Sequence, residues 1–193
     1  NTGNTMTQLY NDTAWDNSVA YETPSIAGAK VSLANARSNG KENNGANVLY
    51  FAGDLGVTAY TQRTTFNSTG SFQNDIFTTR GGAAVTGGVG ASYDLKVAKL
   101  FATWQQADDN TTNQHGKTSQ ASATVPVGAG KVMAEYAYTT TKGAIAANYR
   151  EYAVGYDYNL SPKTDVYATA GRTEVSGTAL QGQTIGAGLR VRF

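Results

Sequence analysis

Thr184-Ile185-Gly186-Ala187-Gly188-Leu189-Arg190-Val191-Arg192-Phe193 alternates without a break between apolar residues and residues that are polar or lack a side chain. Successive side chains of an extended chain point to opposite faces, so Ile185, Ala187, Leu189, Val191 and Phe193 share one face and Thr184, Gly186, Gly188, Arg190 and Arg192 the other. The same period runs back through the sequence. Tyr152, Val154, Tyr156 and Tyr158 alternate with Glu151, Ala153, Gly155 and Asp157; Val132, Ala134, Tyr136 and Tyr138 alternate with Lys131, Met133, Glu135 and Ala137. Ala98, Leu100, Ala102 and Trp104 oppose Lys99, Phe101, Thr103 and Gln105, and Ala121, Ala123 and Val125 oppose Gln120, Ser122 and Thr124. No window carries a helical stripe, and the richness in Tyr, Thr and Val suits strands. The expected fold is all-β, with about eleven strands near 15–23, 29–37, 47–53, 55–66, 77–93, 96–107, 118–125, 130–139, 149–158, 163–173 and 183–193.

Composition removes several classes of function. The 193 residues hold 15 Lys+Arg against 14 Asp+Glu, a net charge of +1 with 15% charged residues, so no broad basic field exists for nucleic acid. Without Cys there is no disulfide framework, Cys-based zinc site or thiol nucleophile. The single His, His115, stands in an Asn/Thr/Gln-rich stretch, which leaves little material for a triad or a His-rich metal site. Gly70-Ser71 lacks a nucleophile motif, and Gly81-Gly82 and Gly87-Gly88 lack the following helix that phosphate binding needs, so they read as strand bends or close packing. Neither an enzyme nor a cofactor or metal is expected.

The connections carry the next step. Short segments with turn chemistry, Pro24–Gly28, Gly53-Asp54, Asp94–Lys96, Pro126–Gly130 and Asn159–Lys163, alternate with longer polar ones, Ser38–Ala46, Asn67–Ile76, Asp108–Lys117, Thr140–Asn148 and Glu174–Gly182. A soluble sandwich has no reason to alternate in this way, whereas an outer-membrane barrel keeps tight turns on one side and long loops on the other. The longest uninterrupted apolar stretch, Val48–Ala52, is far short of the ~20 residues of a spanning helix, but barrel strands need apolar side chains on one face only. Tyrosines near strand ends would then form interfacial girdles. The competing reading is a soluble extracellular β-sandwich or adhesin-type module that binds glycans or proteins through Tyr-rich faces.

Asp16–Pro24 (DNSVAYETP), Gly90–Leu100 (GASYDLKVAKL), Val154–Tyr167 (VGYDYNLSPKTDVY) and Gly188–Phe193 (GLRVRF), in this order, resemble the carboxy-terminal portion of Gram-negative general diffusion porins of the β-proteobacterial sixteen-strand trimeric type. The resemblance implies an outer-membrane, transmembrane antiparallel β-barrel that passes small hydrophilic solutes and ions. It also implies that residues 1–14 are the tail of the pore-constricting loop, that residues 15–193 are strands six to sixteen, and that the parent has roughly 300 to 350 residues. Partners implied are outer-membrane lipid, two further copies in a homotrimer, and the outer-membrane assembly machinery, for which Phe193 would be part of the recognition signal. Within a barrel, the alternation turns Lys30, Lys99, Lys131, Glu135, Glu151, Asp157, Asp165, Arg190 and Arg192 toward the lumen, and Asp12 and Asp16 of the loop tail and its exit would face them across the pore.

Overall fold

The computed structural model describes Trp15 and residues 17–38, 40–65, 84–109, 113–143, 146–176 and 181–192. Its strands are β1 (Ser18–Glu22), β2 (Ala29–Ser38), β3 (Lys41–Ala52), β4 (Leu55–Thr64), β5 (Ala84–Asp94), β6 (Lys99–Asp109), β7 (Gln114–Val127), β8 (Gly130–Lys142), β9 (Ala147–Ser161), β10 (Thr164–Val175) and β11 (Gln181–Val191). All belong to one sheet in sequence order, each antiparallel to the next. From β2 onward every strand has ten or more residues, the length a tilted strand needs to cross a bilayer.

Register converts the alternation into two continuous faces. Directly paired residues lie on the same side of a sheet, so one row can be followed from strand to strand. Ala52, Leu55, Tyr93, Leu100, Ala123, Ala134, Val154, Ala170 and Ile185 pair in succession from β3 to β11. The neighbouring row on the opposite face reads Phe51, Gly56, Ser92, Phe101, Ser122, Glu135, Ala153, Gly171 and Thr184. One face is apolar throughout this band, and the other is polar, small or aromatic.

Burial is inverted with respect to a soluble protein. The buried apolar side chains among the described residues are four alanines, Ala36, Ala84, Ala107 and Ala137, while the largest fully buried side chains are Gln114, Asn43, Asp109 and Asp165. Ile185 is 86% exposed and Leu189 62%, whereas Asp165 is 1% exposed. A sandwich would have to bury an apolar layer between two sheets, and here there is one sheet with its apolar side chains outward. In water that face would be a liability; against hydrocarbon it is the favourable arrangement.

All eleven expected strands are present; β1, expected over 15–23, is only Ser18–Glu22, residues 77–83 of the strand expected over 77–93 lie outside the described residues, and several other ladders run further than the alternation does. Ser38–Ala46 and Asp108–Lys117 were expected as long loops; instead β3 begins at Lys41, β6 reaches Asp109 and β7 begins at Gln114. β8 likewise reaches Lys142 and β9 begins at Ala147. Lys41-Glu42-Asn43-Asn44 is polar on both faces, as expected where a hairpin rises out of the membrane into water on both sides, so backbone pairing continues where periodicity stops. At the other end the turns are tight. Gly53 and Gly128 adopt φ of 57° and 60°, left-handed values that fit two-residue hairpins. Lys96, in the 95–98 connection, donates to Asp54 of the adjacent turn and so links two hairpins. That hydrogen bond holds the Lys96 ammonium above its ordinary pKa, so the link persists through neutral pH and is lost as pH rises through the elevated value.

The candidate functional site, a polar wall

On the polar face the side chains of different strands reach one another across intervening strands. Gly88 of β5 lies between Tyr60 of β4 and Gln105 of β6 in the ladder, and the Tyr60 hydroxyl donates to Gln105 Oε1 at 2.8 Å over the top of it. The missing side chain is what permits this bridge: a Cβ at position 88 would stand 2.9 Å from Tyr60 Cε1 and 3.0 Å from Gln105 Cβ. Thr118 and Thr139, paired across β7 and β8, share a buried hydrogen bond of 2.6 Å. A wall lined by hydroxyls, amides and glycines remains compatible with water along its length.

The strongest charge contacts lie near the tight-turn end of β8 to β11. Arg190 donates through Nε to Asp165 Oδ2 at 3.0 Å and through Nη2 to Asp157 Oδ2 at 2.9 Å, so it reaches from β11 past β10 to β9. Arg192 Nη2 stands 2.8 Å from Asp165 Oδ2, and Lys131 Nζ 3.8 Å from Asp157 Oδ2. The two aspartates are almost wholly buried under these cations. Lys30 pairs with Glu22 at 2.9 Å near the same end of β1 and β2.

The nine wall residues expected from alternation that fall within the described strands and their ends divide into groups. Arg190, Arg192, Asp157, Asp165 and Lys131 form one cluster; Lys30 stands apart with Glu22; Lys99 stands with its ammonium 5.4 Å from the Phe101 ring centre. Glu135 and Glu151 sit farther from the tight turns, diagonally across β8 and β9, where Glu135 pairs with Ala153 and Glu151 with Ala137. Asp12, Asp16 and Phe193 lie outside the described residues, as does the segment 1–14.

Three features escaped the sequence reading. Tyr60, Tyr149 and Tyr167 lie on the polar face, so they are not part of an outer girdle. Tyr50, Tyr93, Tyr156 and Tyr158 do lie on the apolar face toward the tight turns, as a girdle requires. Trp15, the residue that precedes β1 at a short remove, packs on the polar face, where a Cβ on Gly45 would be 3.3 Å from its Cη2 atom. His115, the lone histidine, is held by Asp108, with Nδ1 2.7 Å from Oδ1, in the ladder between β6 and β7. That contact accounts for it as a hydrogen-bonded side chain at the end of a hairpin.

An antiparallel sheet that turns an apolar face outward and carries ionic and hydroxyl networks on the other is the wall of a transmembrane β-barrel. The chain belongs to the Gram-negative porin family, whose description matches residues 1–178, and its place is the bacterial outer membrane. No curated protein matches it. Among solved structures it is similar to the anion-selective porin from Comamonas acidovorans, at 22% identity and a TM-score of 0.72 over 92% of this chain and 58% of that one. It is also similar to OmpT of Vibrio cholerae folded in vitro, at 17% identity and 0.67 over 92% and 64%, and to Salmonella typhi OmpF in complex with daunomycin, at 16% and 0.56 over 80% and 53%. The chain thus spans about three fifths of the length of the first two. The family is one of channels, not enzymes.

Proposed function

We propose that these strands form part of a water-filled barrel through which small hydrophilic solutes and ions diffuse passively. The observation that carries the reading is the inverted burial: buried Asn, Gln, Asp and Thr on one face and exposed Ile, Leu and Val on the other. Among the described residues β1 and β11 are the two ends of the strand order and pair only inward, and free strand edges in hydrocarbon cost several kcal/mol for each unsatisfied backbone group. Closure therefore calls for further strands, which agrees with a carboxy-terminal portion of a larger barrel. On this reading residues 1–14 continue from the loop that narrows the pore, and Asp12 and Asp16 face the basic side chains of the wall. Trp15 docked against Gly45 supports an inward course for this segment. Three copies would associate in the membrane, and Phe193 would be read by the assembly machinery.

The test is conductance of the full-length protein in planar bilayers across a salt gradient. Stepwise ohmic channels are expected. Lys99→Glu, on the wall, should move the zero-current potential toward cation preference, while Arg63→Glu, which pairs with Val85 in the ladder of the opposite face, should leave it in place. Failure to form channels, or equal shifts from both substitutions, would overturn the reading.

A further inference from the structure

We propose that the polar wall between β7 and β11 contains a subsite for zwitterionic solutes of the size of a short peptide, an inference that rests on the porin reading and adds a solute class to it. A cavity of about 790 Å³ opens on this face, with Lys131, Arg190 and Asp157 at its tight-turn end, Glu135 at the other, and Gly155 and Thr169 between.

The two ends differ in how far their charges are already satisfied. Arg190 is occupied by Asp157 and Asp165, and the buried Asp157 is covered by cations. Lys131 makes one long contact of 3.8 Å to Asp157 and keeps about half of its side chain exposed, so its ammonium has donors free for an incoming carboxylate. The Glu135 carboxylate has neither a hydrogen bond nor an ion pair among the described residues, and Glu151 lies diagonally beside it. The Glu135 carboxylate can accept an ammonium group without first releasing a partner.

Spacing selects the solute. Lys131 and Glu135 are four residues apart on β8, so both face the cavity with their Cα atoms about 13 Å apart. Rotation of the two long side chains can shorten the gap between their charges to the reach of two or three extended residues at roughly 3.3–3.6 Å each. A free amino acid is too short to hold both ends at once. The floor suits a peptide backbone: Gly155 contributes no side chain, and Thr169 and Thr124, which border Gly155 and Met133 in the ladder, supply hydroxyls.

Triglycine added to the full-length channel in planar bilayers tests this directly, with glycine, N-acetyl-triglycine and triglycine amide as comparisons. Triglycine should interrupt the current about tenfold more often than any of the three, the factor that one charged contact of ordinary strength provides. Glu135→Gln should reduce the triglycine response to the level of N-acetyl-triglycine, and Lys131→Met should reduce it to the level of triglycine amide. The acetylated and amidated probes on the unaltered protein make the same comparison without relying on a variant that has to fold. Channels that open normally but respond equally to all probes overturn the subsite alone, whereas no channel at all overturns the porin reading beneath it.

Discussion

At position 88 the fold depends on an absent side chain. Gly88 lets the Tyr60 ring cross to Gln105, and a Cβ there would also stand 2.8 Å from the Trp104 carbonyl oxygen. Backbone cannot move aside as the end of a long side chain can. Gly88→Val should therefore displace Tyr60, break its hydrogen bond and destabilise the barrel by about 1–3 kcal/mol, the usual cost of overpacking. Urea unfolding from lipid vesicles measures it. Gly182→Val is the control: its added Cβ would meet only Thr173, at 3.8 Å, and should change stability by less than about 0.5 kcal/mol. Equal losses at the two positions would refute the role given to Gly88. The sequence marks Gly87-Gly88 as a site of bending or close packing and gives Gly182 no such mark, but what packs at position 88 appears only when register sets the Tyr60 ring beside it.

Strand faces were legible in the sequence because only one face has to be apolar, and a period of two survives in 149–158 and 184–193 however the strands pair. Strand limits were less legible. Lys41–Asn44 and Gln114–Lys117 pair fully although they are polar on both sides, so they carry no periodic signal. The wall charges were found by parity, but their grouping was not. Arg190 reaches Asp157 from two strands away in a ladder whose stagger the sequence does not state. Parity itself can be tested cleanly because the chain has no cysteine. Single cysteines at 184 and 186 should react with a membrane-impermeant charged maleimide in intact outer-membrane vesicles, and those at 185 and 187 should not. The reverse pattern would mean a slip of one residue in β11, which would turn Arg190 and Arg192 into hydrocarbon.

For the whole molecule, the question is whether the apolar face meets lipid, and the two tryptophans are placed to answer it. Trp104 lies in β6 on the apolar face, 43% exposed and paired with Val89 and Ser119. Trp15 packs over Gly45, whose ladder partners Ala34 and Gln62 belong to the polar face. Bromine on an acyl chain quenches indole fluorescence only near contact. In vesicles of acyl-brominated lipid, Trp104→Phe should remove a strongly quenched component from the emission of the full-length protein. Trp15→Phe should remove an unquenched one, because Trp15 lies behind the sheet. A soluble sandwich would leave both unaffected, because neither indole would meet an acyl chain. Equal strong quenching would place Trp15 on the lipid side and remove the support it gives to an inward course for the preceding segment. Quenching confined to Trp104 fixes which side of the eleven-stranded sheet faces the bilayer. The charges of β8 to β11 then lie on the other side, where water must reach them if ions are to pass.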